Sequence, residues 1–198
     1  MTYRPPVLDM AFTLKSLAGF DALQKDGAYE DLSDDLLRAV LEEASKLASD
    51  VIAPLNTAGE AHHASLGEQG VTTPPGYAAA YQQWVEGGWG SIAASPDFGG
   101  QGLPLALSAV LQEMWNAACL SFGLCPILSQ GAIEAITAHG TDEQRTTYLP
   151  KLISGEWTGT MNLTEPQAGS DLNALKAKAV PQGDGTYRIT GTKIFITY

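Results

Sequence analysis

The stretch MNLTEPQAGSDL, residues 161–172, marks the point where the sequence changes from helical to strand-like patterns. It begins like a strand, is interrupted by Pro166, and continues through the small polar run AGSD. A glycine beside a serine lets backbone N–H groups and a hydroxyl approach a ligand closely, as in phosphate-binding loops. The same residue types also form ordinary Asx-type turns. Spacing alone leaves both interpretations open.

Two acidic residues flank this small loop. Glu165 and Asp171 would repel a phosphate, so we expect both to brace the loop by accepting hydrogen bonds from backbone N–H groups. Thr164, at the end of the predicted strand, offers a donor and an acceptor to a heterocycle.

Upstream of this stretch the sequence is helical. Residues 33–53 have an apolar stripe at helical spacing, with Ser33 as the predicted N-cap and Pro54 as the predicted stop. A less marked pattern predicts a helix over residues 10–18. One further helix is predicted after Pro74 and Pro75, and its inward residues would be Tyr77, Ala78, Tyr81, Trp84 and Val85. Two more are predicted from Pro104 to Cys119 and over 126–138. The last is predicted from Thr141 to Ser154 and begins with a TDEQ capping box.

Downstream of Gly155 the period changes to that of strands. Strands are predicted over Trp157–Leu163, Leu175–Val180 and Tyr187–Thr197, with Gly183, Asp184 and Gly185 as the hairpin turn. Two or three strands are marginal without a partner sheet. We therefore expect this chain to be the front part of a longer protein.

Composition narrows the class of partner. The chain has 198 residues and a formal net charge of −11, which disfavours nucleic acid and anionic membranes as partners. Residues 1–170 contain 7 Lys/Arg and 20 Asp/Glu, whereas residues 171–198 contain 4 and 2. The basic C-terminal part is either a solvated strand face or a surface for an anionic ligand.

The cysteines, the N-terminus and the apolar runs predict where the protein is located. Cys119 and Cys125 have no metal-ligand spacing and are predicted to be buried free thiols in a reducing compartment. The N-terminus lacks a signal-peptide pattern, and Gln112, Glu113 and Asn116 interrupt the longest candidate apolar run. We therefore expect no stable membrane insertion and a cytoplasmic protein.

Several segments together resemble one enzyme family. LTEPQAGSDLNAL followed by GTKIFIT is similar to the flavin-binding signature of the acyl-CoA dehydrogenases. PDFGGQGLP and GTDEQRTTYLPKLISGEW resemble a loop and a helix of the same family, in the same order. The opening YRPPVLDMAFTLKSLAGFDAL resembles the N-terminal extension of a long bacterial branch.

The resemblance implies a fold and a division of the chain. The fold class would be mainly α with a following β segment: an all-α N-terminal domain and the first strands of a β-barrel-like middle domain. Residues 1–32 would be the extension, 33–156 the helical domain, and 157–198 the partial flavin-binding middle domain.

The resemblance also implies a cofactor and its contacts. FAD would be held by one strand and loop and by a second segment near the C-terminus, where many members have tryptophan in place of Phe195. The implied cofactor-binding residues are Met161, Leu163, Thr164, Gly169, Ser170, Phe195 and Thr197.

The implied reaction is α,β-dehydrogenation of an acyl-CoA thioester, with electron-transfer flavoprotein as acceptor and a homodimer or homotetramer as the assembly. Ser170, Phe122, Leu124 and Leu128 would contact the substrate, a fatty acyl-CoA or 3-methylmercaptopropionyl-CoA. The resemblance implies that the base is a Glu of a C-terminal domain, which we expect to lie outside this chain, so we expect residues 1–198 alone to be inactive. The alternatives are a non-catalytic acyl-CoA or flavin-binding module and an acyl-CoA oxidase that uses oxygen.

Overall fold

The computed structural model describes residues 3–26, 29 and 32–197. The chain divides into two compact units, Met1–Gly159 and Thr160–Tyr198. The first is helical and the second contains a β-hairpin, which confirms the predicted fold class. Tyr198 and part of the predicted extension 1–32 lie outside the described residues.

The predicted helix over residues 10–18 is confirmed, with an earlier start. Helix α1 spans Val7–Phe12, continues as a π-helical turn over Thr13–Leu17, and is followed by α2, Phe20–Lys25. Met10 and Leu14 are buried against the core, so the segment before residue 33 is packed onto the helical unit.

A continuous helical run follows, and it does not end at Pro54. Its three parts are α3, Asp34–Lys46; a π-helical turn, Leu47–Ile52; and α4, Ala53–Ala61. Ser33 is the N-cap as predicted, because the Leu36 N–H donates to its Oγ at 3.2 Å. The prediction of a stop was wrong because Pro54 lies in the first turn of α4, after the change in hydrogen-bond register, where its missing N–H is tolerated.

The rest of the helical unit matches most of the predicted helices. After a small hairpin that the sequence did not predict, it contains four further α-helices within the described residues. The elements are β1, Ser65–Gly67; β2, Gly70–Thr72; α5, Tyr77–Glu86; α6, Leu105–Ala118; α7, Leu120–His139; and α8, Asp142–Ile153. On α5, Trp84 is buried as predicted, but Ala78 is exposed and Ala80 takes its place in the core.

Helix α7 begins at Leu120, well before the predicted residue 126, and Pro126 lies inside it. It is one helix that is long and apolar enough to cross a membrane by length and composition, a property missed in the sequence; core helices of soluble proteins meet the same criterion. Here α7 packs against α6 and α8. Helix α8 starts with the predicted capping box between Thr141 and Gln144.

Two hydrophobic clusters stabilise the helical unit. The larger is built around Leu41, Ile52, Leu111 and Met114, all almost fully buried. The smaller joins α7 to α8 through Ile133, Leu149, Leu152 and Ile153. Within the described residues neither cysteine is in a disulfide bond; Cys119 is buried as predicted, whereas Cys125 is half-buried.

The second unit contains one antiparallel hairpin. Strand β3, Lys178–Pro181, pairs with β4, Tyr187–Thr190, and Ala179 lies opposite Ile189. Gly183 and Gly185 have positive φ in the turn, as the sequence predicted.

All three predicted strands need correction. The strand predicted over Leu175–Val180 begins later, at Lys178, and ends at Pro181. Trp157–Leu163 is not a strand, because among the described residues no strand pairs with it. The predicted strand Tyr187–Thr197 ends at Thr190, and the next residue, Gly191, has φ +154 and lies too close to Ala177 for a side chain to fit. Segments 161–165 and 193–197 are instead joined mainly through side chains.

Candidate functional site

The carboxylate of Glu165 organises the second unit. Its side chain is 3% exposed and accepts hydrogen bonds from the backbone N–H groups of Lys176 at 2.8 Å and Ala177 at 2.9 Å. Lys193 Nζ donates to it at 2.9 Å, and Gln167 Nε2 donates as well. The prediction that Glu165 braces the loop is confirmed.

These donors stabilise the charged form of the carboxylate. The hydrogen bond from Lys193, together with the N–H groups of Lys176 and Ala177, lowers the pKa of Glu165 to about 2, against the opposing effect of burial. Glu165 is therefore an anion at neutral pH with its acceptor positions occupied.

Segments 161–165 and 193–197 are held together by a short series of bonds. Lys193 Nζ donates to the Leu163 carbonyl at 2.8 Å, and the Ile194 N–H donates to the Thr164 carbonyl at 2.9 Å. Thr197 Oγ1 accepts from the Met161 N–H at 3.3 Å and is 3.2 Å from the Met161 carbonyl. The structure thus joins Met161 to Thr197, Leu163 to Lys193 and Thr164 to Ile194, so the two segments lie side by side.

The hydrogen-bond donors of Thr164 are not used by the bonds between these two segments. Its carbonyl is engaged, but within the part of the chain that the structure describes neither its N–H nor its Oγ1 has a hydrogen-bond partner. Thr164 is half-buried. It therefore presents a backbone donor and a hydroxyl from a fixed position.

The small loop after Glu165 is open. Gly169 and Ser170 are both exposed, and a side chain added at Gly169 would meet nothing within 4 Å. Among the described residues, their N–H groups and the Ser170 hydroxyl have no partner. Asp171 closes the loop as predicted, since its Oδ1 accepts from the Asn173 N–H at 3.1 Å.

Phe195 is held in an unusual conformation. Its φ is +54, a left-handed value that is uncommon for any residue other than glycine, and its side chain is 86% exposed. The bonds made by Ile194 and Thr197 fix the backbone on both sides of it. A strained, exposed aromatic residue of this kind suggests a binding role.

The predicted acyl-contacting residues of α7 lie on two faces of the helix. Leu124 is 42% exposed and Leu128 is half-buried, and their spacing of four residues places them on one side. Phe122 is 4% exposed and belongs to the hydrophobic core, so it does not share that surface. Ile127, 40% exposed, is on the outward side and was missed in the sequence.

The end of the helical unit is anchored on the inner face of α7. Ser129 Oγ, buried at 7% exposure, accepts from the Gly159 N–H at 3.1 Å and donates to the Cys125 carbonyl. A side chain at Gly159 would lie 2.5 Å from the Ala132 Cβ. The chain therefore leaves the helical unit, immediately before Thr160, through a close backbone contact with α7.

The residues of the second unit fit a flavin. An isoalloxazine ring needs hydrogen-bond donors at its polar edge and an apolar or aromatic surface at its faces. Thr164 supplies two free donors, Ser170 supplies another with its loop N–H groups, and Met161 and Phe195 supply exposed apolar surface at 56% and 86%.

Comparison with known proteins gives the family. Residues 34–156 match the model of the acyl-CoA dehydrogenase N-terminal domain. The 3-methylmercaptopropionyl-CoA dehydrogenase of Ruegeria pomeroyi is 48% identical over 198 residues, which is 100% of this chain and 34% of that protein. A butyryl-CoA dehydrogenase of Syntrophomonas wolfei is 34% identical over 96% of this chain and 32% of its own length.

A solved structure shows the same fold. The acyl-CoA dehydrogenase of Bacillus anthracis complexed with FAD aligns with a TM-score of 0.68 over 85% of this chain and 27% of its own, at 24% identity. This chain spans about a third of the length of the curated relatives that it matches. From the matched domain and these relatives, the chain belongs to the acyl-CoA dehydrogenase family.

Proposed function

We propose that this chain supplies the N-terminal helical domain and a flavin-contacting segment of an FAD-dependent acyl-CoA dehydrogenase. The observation that carries the proposal is the arrangement of segments 161–165 and 193–197. They are fixed to each other while the donors of Thr164 stay free among the described residues. The family membership supports the same reaction class.

Each residue has a role that follows from its position. Thr164 would donate from its N–H and Oγ1 to the polar edge of the flavin ring. Ser170 and the N–H of Gly169 would bind anionic oxygen atoms of the cofactor. Phe195 and Met161 would cover the ring and exclude water from it.

When bound, FAD would accept the hydride that leaves the β-carbon of the thioester. The α-proton requires a base, and Glu165 is unsuited to this task because its carboxylate is engaged by four donors and its pKa is lowered to about 2. We therefore place the base outside this chain, on a glutamate of the C-terminal domain that the family resemblance implies.

The outward face of α7 is the proposed contact for the acyl chain. Leu124 and Leu128 form an apolar surface with Ile127 beside them, which suits an aliphatic or thioether chain. The substrate class is an acyl-CoA thioester, and the proposed electron acceptor is electron-transfer flavoprotein.

The test uses a chimera in which residues 1–198 replace the matching third of the Ruegeria pomeroyi relative. Thr164→Val removes the hydroxyl but keeps the shape of the side chain. Losing a hydrogen bond to a charged or polarised group costs roughly 1.5–3 kcal/mol, which corresponds to an increase in the FAD dissociation constant of about tenfold or more.

The matched control is Thr190→Val, at the exposed end of β4. It should leave the FAD dissociation constant unchanged. Equal FAD binding in the Thr164→Val protein and the parent chimera would contradict the assignment of Thr164.

A further inference from the structure

We propose that Lys193 is a positioning residue, which orients Thr164 toward the flavin by holding the residues on either side of it. The proposal rests on the proposed function for the identity of the ligand. The geometry that supports it belongs to this chain alone.

The ammonium group of Lys193 forms hydrogen bonds to the residues before and after Thr164. Lys193 Nζ donates to the carbonyl of Leu163 at 2.8 Å and to Glu165 Oε1 at 2.9 Å. These acceptors lie one residue before and one residue after Thr164. The Thr164 carbonyl itself accepts from the next residue of the same segment, Ile194, at 2.9 Å. Residues 163–165 are therefore held by the two consecutive residues Lys193 and Ile194.

The bonds that Lys193 and Ile194 make to residues 163–165 determine which polar groups of Thr164 remain available to a ligand. With its carbonyl held by Ile194, its N–H and Oγ1 are its remaining polar groups, and in the described ranges both lack a partner. Their direction depends on the backbone angles of residues 163–165. Both contacts of Lys193 restrain those angles, in addition to the Ile194 bond to the Thr164 carbonyl and the backbone pair between Glu165 and Ala168.

The charge of Lys193 matters as well as its length. Glu165 is an almost fully buried anion, and a buried carboxylate that loses its cationic partner is strongly destabilised. The side chain of Lys193 is 25% exposed, so the pair is partly shielded from solvent. An apolar residue of similar length would remove the hydrogen bonds to Leu163 and Glu165 and leave Glu165 without its charge partner.

A merely stabilising role and a positioning role predict different results. If Lys193 only stabilises the unit, its removal loosens residues 160–197 as a whole. If it positions Thr164, its removal releases residues 163–165 and the Ile194 amide. The β3–β4 hairpin, to which Lys193 makes no hydrogen bond or ion pair among the described residues, then stays ordered.

The experiment measures backbone order parameters and amide hydrogen exchange by NMR in the 198-residue chain. The variants are Lys193→Met, which removes the donors; Lys193→Arg, which keeps charge and donors; and Lys178→Met, a matched control on an exposed strand lysine. Each protein is then titrated with FAD, and the amide shifts of Thr164 and Ser170 are followed.

We expect the order parameter of Thr164 to fall from about 0.85 to below about 0.6 in Lys193→Met and to recover in Lys193→Arg. Ile194 should lose its exchange protection, while the hairpin amides and the Lys178→Met protein stay unchanged. An unchanged Thr164 in Lys193→Met, or an equal loss of order throughout residues 160–197, would overturn the positioning role.

The FAD titration separates this proposal from the proposed function. If Lys193→Met releases Thr164 but FAD shifts neither Thr164 nor Ser170 in the parent chain, the positioning effect stands and the flavin assignment of these residues in this chain fails. If FAD shifts both residues equally in the parent chain and in Lys193→Met, the flavin assignment stands and the positioning role fails.

Discussion

Lys193 and Glu165, which are 28 residues apart in sequence, form an ion pair of 2.9 Å in which the carboxylate is almost completely buried. The same carboxylate accepts from the N–H groups of Lys176 and Ala177. A single side chain thus joins three parts of the second unit. The stability of this unit should therefore depend on the ionisation of Glu165.

The first prediction concerns acid. The pKa of Glu165 is lowered from an ordinary value near 4.5 to about 2, because its donors favour the anion. A lowered pKa contributes stability that is fully present above about pH 4.5 and is lost as the pH falls toward 2. NMR signals of the Ala177 and Ile194 amides should report this loss in the 198-residue chain.

Two variants serve as controls for the acid prediction. Glu165→Gln should remove the dependence between these two pH values and weaken the unit already at neutral pH. Asp184→Asn tests the other carboxyl of this unit with a lowered pKa, which is caused by hydrogen bonds from Thr186 in the hairpin turn. If Asp184→Asn abolishes the acid sensitivity of Ala177 and Ile194, Glu165 is not its source.

The second prediction concerns the anchor of the helical unit. Gly159→Ala places a Cβ 2.5 Å from the Ala132 Cβ and 3.1 Å from the Leu128 carbonyl, so α7 or the chain must shift. We expect the free energy of unfolding of the helical unit to fall by about 1–3 kcal/mol, as in an overpacked core. Urea unfolding followed by circular dichroism measures it.

The control for the anchor is on the same helix. Gly131 lies within α7, and a Cβ there meets nothing within 4 Å. Gly131→Ala should therefore stabilise the unit by roughly 0.5–1 kcal/mol, because alanine has the higher helix propensity. Similar effects of the two substitutions would show that the contact between Gly159 and Ala132 is not tight.

The third prediction concerns Phe195. Its side chain is 86% exposed, so it does not fill a core in this chain. Phe195→Trp should change the free energy of unfolding by less than about 0.5 kcal/mol, as is usual for surface substitutions. Thermal unfolding of both proteins checks this, and a loss of about 1–3 kcal/mol would instead indicate an overpacked core position.

Local patterns predicted the helices well. The apolar stripe of residues 33–53 and the caps at Ser33 and Thr141 depend on neighbours a few residues away, and the structure contains them as predicted. Pro54 was misjudged because the π-helical turn before it changes the hydrogen-bond register, which helix-stop rules do not consider.

Long-range contacts could not be predicted in the same way. The strand expected over Trp157–Leu163 has the right residue types, but a strand requires a partner, and here side chains such as Lys193 and Thr197 take the place of a ladder. The ion pair between Lys193 and Glu165 was missed because nothing local distinguishes Lys193 from the other basic residues after Asp171. Phe122 was grouped with Leu124 because the resemblance indicates a segment and not a helix face.

The fourth prediction is that the 198-residue chain alone does not turn over an acyl-CoA. Two acids beside the proposed flavin site already have partners: Glu165 accepts from four donors, and Asp171 accepts from the Asn173 N–H. The chain spans 34% of the Ruegeria pomeroyi relative. Circular dichroism should show a folded helical unit, while FAD, an acyl-CoA and an artificial acceptor give no reduction. Turnover by this chain would show that its own residues include a base.

The most direct measurement of the central claim is the visible spectrum of the flavin in the chimera with the Ruegeria pomeroyi relative. We predict about one FAD per chain and bleaching of its absorbance when 3-methylmercaptopropionyl-CoA or butyryl-CoA is added without oxygen. Rapid recovery in air would indicate an oxidase, and bound FAD that does not bleach would indicate a binding module. A folded chimera that retains no FAD would contradict the claim that residues 161–170 and 193–197 form a flavin-contacting segment.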